Sequence, residues 1–439
     1  MASIEKRIVS AFLSKIRERK EEPLAPARDL RGHSAVPVAP AKLREARFSD
    51  FAAVAELKKR WGLAADSLEN WERLWRRNPA LAHMPPGLPI GWVLEADGKI
   101  VGYLGNIFLL YRYGDRILTA VAAHGCVVEP PYRSLGASLV AAFFRQRSVD
   151  LHVATTTIAA VGKIARAFKA DPLPQADYDT VFFWVLQPAP LIKAVMKKLG
   201  FKPYLLRMGA ALASLALATD TSLRRRWPRR SSDELTITDV AVNEIGDDFH
   251  DLWMRKIHER PRLFADRNPA TLRWHFEIPG DRGITRVLCC SKKGKLLGYA
   301  VIRHEPPDET DGLRKSLVAD VLVAQDEPAV VEALLVAAYG QARQAGSHIL
   351  EVMGFPQNIR QSCAQWRPYH RKYAATPYHY KAADPILHKT LSDGAIWYAS
   401  PYDGDATLIR PSHPHLLQTA HAETQPARDV AEREHTPVV

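Results

Sequence analysis

Trp92 to Tyr103 reads WVLEADGKIVGY, and Val287 to Tyr299 reads VLCCSKKGKLLGY. Each is an apolar run, a turn at a glycine (Asp97-Gly98 in one, Gly294 in the other) and a second apolar run, which is the pattern of a β-hairpin. Tyr103 and Tyr299 stand 196 positions apart. Upstream of each hairpin lies a strand-like opening (Leu43 to Ala46; Leu235 to Val240), offset by 192. Helical periodicity follows it, and then a Trp-containing segment, WERLWRRNPA at Trp71 to Ala80 and LRWHFEIPG at Leu272 to Gly280. Downstream, GCVVEP at Gly125 to Pro130 and DVLVAQ at Asp320 to Gln325 are apolar strands that run into apolar helices, at an offset of 195. Elements in one order at nearly constant offsets predict a tandem duplication.

Each unit reads strand, helices, hairpin, strand, helix, strand, helix. The fold class that follows is α/β of the α+β kind: two domains, each a mixed, mostly antiparallel sheet flanked by helices. The expected domains are residues 41–190 and 234–408, with a basic helical connector at 191–233. A basic amphipathic helix and a Pro/Ala-rich linker are expected at 1–40, and a disordered tail at 409–439. AIWYASPYDGD, Ala395 to Asp405 with a turn at Asp403-Gly404, reads as a strand closing the second sheet.

The 439 residues, 47% hydrophobic and 25% charged, suit two or three domains and exclude disorder for most of the chain. Four cysteines without a CxxC pair support neither a zinc ribbon nor a disulfide scaffold, so no metal and a reducing cytoplasm are expected. The first residues, MASIEKRIVSAFLSKIRERKEE, lack the core and cleavage site of a signal peptide. The longest apolar stretch, Met208 to Ala218, is far short of the roughly 20 residues that span a bilayer. The formal charge is +12, and Lys193 to Arg230 hold ten basic residues against Asp220 alone, a local +9. An excess gathered in a connector argues against nucleic acid, whose readers spread basic residues over a folded face. Lysines among Leu191, Ile192, Val195, Met196, Leu199 and Phe201 make an amphipathic helix suited to an anionic membrane surface, with a solvated basic face as the plain alternative.

The chemically pointed stretch is Ala123 to Phe144, AHGCVVEPPYRSLGASLVAAFF: an apolar strand, a Pro-Pro break, then Arg-Ser-Leu-Gly-Ala-Ser opening a helix. A strand turning sharply into a helix aims unpaired N–H groups and the positive end of the helix dipole at one spot, Gly136 permits close approach and Arg133 adds a cation. A pyrophosphate suits that spot. The P-loop and dinucleotide fingerprints both fail for want of their other residues. Arg133, Ser134, Leu135, Gly136, Ala137 and Ser138 resemble the Arg/Gln-x-x-Gly-x-Gly/Ala signature of the GNAT superfamily of acyl-CoA-dependent N-acyltransferases, with Ser138 in place of the last small residue. The lead-in Val128 to Tyr132 is similar too. The resemblance in element order covers Leu43 to roughly Trp184. It implies acetyl-CoA as acyl donor and an amine acceptor of unknown identity, with the pantetheine arm along Cys126, Val127 and Val128. The second unit has Asp326-Glu327-Pro328-Ala329 at the corresponding turn, two acids and no glycine, and is expected to have lost the cofactor site.

Acyl transfer to an amine requires a proton acceptor. The resemblance points to His124, nine positions before Arg133, as the base, with Glu129 as the second candidate. A histidine satisfied in the core is the plain reading. The helix after the fifth strand, where relatives place a proton-donating Tyr, offers Phe168 and no tyrosine; Thr155, Thr156 and Thr157 are hydroxyls nearby, and β-branched residues commonly end strands. Trp71 and Trp75 at helical spacing read as a buried helix face. The expected function is an N-acetyltransferase; the alternatives are a non-catalytic acyl-CoA-binding or membrane-docking module and an aminoacyl-tRNA-dependent transferase.

Overall fold

A computed structural model describes residues 39–63, 65–157, 159–198, 203–229, 234–281, 283–308, 311–372 and 378–408. The expected N-terminal helix with its linker and the expected tail from 409 lie outside these residues, as do Leu199 and Phe201. The first half runs β1 (Lys42–Glu45), α1 (Phe51–Arg60), α2 (Leu68–Trp75), β2 (Gly91–Ala96), β3 (Lys99–Tyr113), β4 (Arg116–Val128), α3 (Gly136–Phe144), β5 (Leu151–Ala154), α4 (Ala159–Ala167), β6 (Asp171–Pro172) and β7 (Thr180–Val185). Helices α5 (Pro188–Lys198) and α6 (Pro203–Leu223) follow. The second half runs β8 (Thr236–Val240), α7 (Asp247–Ile257), β9 (Leu263–Ala265), α8 (Pro269–Phe276), β10 (Thr285–Lys292), β11 (Lys295–His304), β12 (Lys315–Val323), α9 (Pro328–Gln344), β13 (Ile349–Val352), α10 (Gln357–Ala364), β14 (Tyr369–Lys372), β15 (His379–Ala382) and α11 (Pro385–Thr390).

The hairpins form where the turn residues allow. Asp97 and Gly98 take φ 47° and 72°, and Lys293 and Gly294 take 49° and 78°. Two successive positive φ values match the twist of the flanking strands, which is why a glycine stands second in each turn. In α2 the Ser67 side chain accepts from the Asn70 N–H, and Trp71 and Trp75 lie buried on one face, as their spacing predicts.

The first sheet has the order β1-β2-β3-β4-β5-β15-β6, and the second has β8-β10-β11-β12-β13-β7-β14. The two orders are equivalent, with β4/β5 and β12/β13 the parallel pairs. The halves exchange one strand: β7 enters the second sheet between β13 and β14, and β15 enters the first between β5 and β6. Strand β9 also crosses, pairing with Tyr111–Tyr113 of β3. The linear division at 190 and 234 therefore describes chain order and not sheet membership. One continuous core, from Val54 and Trp71 to Val331 and Leu408, runs through both sheets.

Ala395 to Asp405 forms no strand. After a 3-10 turn at Gly394–Ile396 it runs as an irregular strap, buried at every residue from Trp397 to Asp405. Buried irregular backbone needs partners for its polar groups, and side chains supply them: Gln175 bonds Ala399, the Arg303 guanidinium donates to the Thr407 carbonyl and Arg73 to that of Leu408. The connector is helical, as its periodicity indicates, but Leu191, Ile192 and Leu217 pack against Val185, Ile349 and Tyr369 of the second sheet. The apolar side of α5 is thus spent inside the protein.

Candidate active site

Strands β4 and β5 part company early. Their ladder holds only three pairs, Ala120 with Leu151, Val121 with His152 and Ala122 with Val153. From Ala123 to Val128, β4 keeps β3 on one side, and among the described residues no strand takes its other side. Within that stretch Gly125 and Cys126 stand opposite the single residue Leu104, and Gly125 has φ 62°. This is a β-bulge whose first position needs a left-handed residue, and such bulges re-aim side chains beside functional sites. Cys126 is half-buried on this edge, with its thiol pushed up to about 11 by burial, and Val127 and Val128 continue the edge toward the helix.

Residues Pro130–Leu135 form a 3-10 helix that continues into α3. The sharp turn with a row of open N–H groups is therefore not what forms: Tyr132 N–H donates to Glu129 and Gly136 N–H to Arg133, because two prolines start a helical turn readily. Arg133, Ser134, Leu135 and Ala137 are exposed, while the Ser138 hydroxyl turns inward to the Leu135 carbonyl at 2.6 Å. Gly136 has an ordinary helical φ of −56°, and a Cβ there would meet only Val128 Cγ2 at 3.7 Å. Neither backbone conformation nor internal packing requires glycine at this position. The space beside it suits a group that comes close to the backbone from outside.

His124 is buried in a polar cluster drawn from both halves. Its Nε2 lies 3.1 Å from Lys58 Nζ on α1, and its Nδ1 lies 3.2 Å from Asp405 Oδ2 on the strap. An ammonium has only donors, so Nε2 accepts from Lys58 and Nδ1–H donates to Asp405. Both ring nitrogens are engaged. Lys58 also pairs with Asp66 at 2.8 Å, and Asp66 accepts from Asn70. Burial pushes the Asp66 carboxyl up, but the Lys58 ammonium beside it more than reverses this and holds it below the usual carboxylate range. Asp405 Oδ1 accepts from Thr155 and Thr156 at 3.1 and 3.0 Å, just past the end of β5. Glu129 is separate from this cluster: it sits at the end of β4, paired with Arg60. Phe168 packs at the edge of the core.

No family model matches the sequence, and no curated protein does. Solved structures do. A GCN5-related N-acetyltransferase from Anabaena variabilis is 12% identical at a TM-score of 0.49, over 79% of this chain and 73% of that one. One from Kribbella flavida is 10% identical at 0.48, over 80% and 72%.

In the second half the counterpart of the open strand edge is occupied from inside. The carbonyl of Val321 accepts from the Tyr398 hydroxyl at 2.8 Å, and that of Val323 from Lys256 Nζ at 2.6 Å. Gln325 N–H donates to the Glu259 carboxylate. Asp326 is neutralised from inside by Lys256 and Arg262. Clefts of about 430 Å³ open here, lined by Glu259, Arg260, Gln325 and Asp326 among others, with both signs of charge in their walls. Where His124 stands in β4, β12 has Asp320, gripped by the buried Arg267 at 2.9 and 3.0 Å and by the Ser400 hydroxyl. Asp405 and Ser400 were not legible as site residues, because only the exchanged topology brings the strap across both centres.

Proposed function

We propose that this chain is a cytoplasmic N-acyltransferase that moves an acetyl group from acetyl-CoA to an amine by direct attack on the thioester. Arg133, Ser134, Leu135, Gly136, Ala137 and Ser138 would hold the pyrophosphate, and the edge at Cys126, Val127 and Val128 would pair with the pantetheine arm. The bound donor supplies an activated acyl carbon. One observation carries this reading: among the described residues no strand covers the outer side of the Ala123–Val128 edge, while on the counterpart edge in the second half the Val321 and Val323 carbonyls are bonded by Tyr398 and Lys256. The same contrast supports a duplication in which one copy gave up the cofactor site and kept a structural and site-completing role. Calorimetry tests the assignment. Wild type is expected to bind acetyl-CoA and Gly136→Glu is not; wild type that binds none, or both proteins binding alike, refutes it. Thiol release from acetyl-CoA across a panel of primary amines then reads turnover.

A second reading, docking on an anionic membrane surface, is favoured by α6, where Leu215 and Leu223 are exposed ahead of the exposed Arg224, Arg225 and Arg229. Co-sedimentation with phosphatidylserine vesicles but not with phosphatidylcholine vesicles is the expected result, weakening as salt is raised; equal recovery with both refutes it.

A further inference from the structure

We propose that Asp405, carried on the strap of the second half, accepts the proton of the attacking amine in the first-half site through the Thr156 hydroxyl. The inference rests on the acyl-transfer reading above and names the group that reading lacks.

Position comes first. The last ladder pair of β4 and β5 is Ala122 with Val153. Two residues further on, facing the same way, come His124 and Thr155. The Asp405 carboxylate bridges these two across the opening, with Oδ2 at 3.2 Å from His124 and Oδ1 at 3.1 and 3.0 Å from Thr155 and Thr156. It stands in the mouth where the strands separate. An arm lying along β4 from Val128 to His124 covers four residues, about 13 Å at roughly 3.3 Å each, and so brings its reacting end to this mouth.

The other candidates are occupied. His124 has Lys58 on one nitrogen and Asp405 on the other. Asp66 lies behind Lys58, bonded to it and to Asn70. Glu129 is held by Arg60 at the phosphate end of the strand. Of the cluster, Thr156 alone is exposed, so it is the way in from solvent.

The step balances. The amine nitrogen bonds to the acyl carbon, the carbon–sulfur bond breaks, and the sulfur leaves as thiolate. The amine proton passes to the Thr156 oxygen as the Thr156 hydroxyl proton passes to Asp405 Oδ1. The neutral carboxyl keeps its His124 bond through Oδ2 and donates from Oδ1 to Thr156. His124 acts as a positioning residue that fixes the carboxylate.

The experiment compares wild type, Asp405→Asn and Thr156→Val by acetyl-CoA calorimetry and by thiol release with the amine panel across pH. Asparagine keeps the shape and an accepting oxygen but cannot take the proton. Expected are acetyl-CoA affinities within threefold of wild type, kcat lowered about 100-fold in Asp405→Asn, the range for loss of a general base, and about 10-fold in Thr156→Val. The Asp405→Asn rate should also keep rising with pH where wild type has levelled, which a structural role would not produce. Should Asp405→Asn fail to fold, Thr156→Val at its exposed site carries the decision alone. Undiminished kcat in the folded variants overturns this assignment and leaves the acyl-transfer reading standing; wild type that binds acetyl-CoA but releases thiol with none of the amines overturns both. Wild type without acetyl-CoA binding overturns both.

Discussion

Gly136 separates two kinds of constraint that usually coincide. Glycine is required where φ is positive or where backbone is crowded, and at Gly136 neither holds. Gly136→Ala should therefore leave thermal stability unchanged or raise it slightly, since alanine outranks glycine in a helix by up to about 1 kcal/mol, while acetyl-CoA affinity falls at least tenfold. Calorimetry and a melting curve on one preparation check both halves of the expectation. Asp403 makes the opposite case. Burial pushes its carboxyl up to about 6, against the pull of Arg267. Because the folded value is raised above the unfolded one, the Asp403 contribution to stability is fully present at low pH and is lost as pH rises between about 4 and 6. Two units correspond to roughly 3 kcal/mol. Asp403→Asn should raise the melting temperature at pH 7.5, and the gain should vanish by about pH 4; a gain that persists there would refute a titration origin.

Among the elements, the exchanged strands set the cooperativity. Strand β7 pairs with β13 and β14, and β15 with β5 and β6, so each sheet lacks an interior strand without the other half. An interior gap exposes two sheet edges and a slice of core, an invitation to aggregate. Residues 39–229 or 234–408 expressed alone should be insoluble or unfolded. Expressed together as two chains, they should co-elute in size-exclusion chromatography as one folded species. Independent solubility of either piece would show that the exchange is dispensable. Helices α5 and α6 pack on the second sheet, because Leu191, Ile192 and Leu217 are buried against Val185, Ile349 and Tyr369.

Across the whole molecule, the strap from Trp397 to Leu408 ties two equivalent centres together. Ser400 binds Asp320 and Arg267 in the second half, and Asp405 binds His124, Thr155 and Thr156 in the first. Under the proposed function the second half thereby has a use without a cofactor site of its own. It donates a strand, a buttress and one carboxylate to the half that keeps the opening.

Much of this was legible in the residues. Runs closed by turns at Asp97-Gly98 and Gly294 and the Trp71/Trp75 face are local patterns, and local backbone preferences and side-chain periodicity write them directly into the chain. The strand exchange, the fate of Ala395 to Asp405 and the partners of His124 were not. AIWYASPYDGD reads as a closing strand, yet the interior place it would take in the second sheet is held by β7, so its backbone is satisfied by Gln175, Tyr178 and the Leu263 carbonyl instead. The pairing of His124 with Asp405 spans 281 positions. Contacts of that separation depend on which strands meet, and that is settled by burial over the whole core, not by any neighbouring residues.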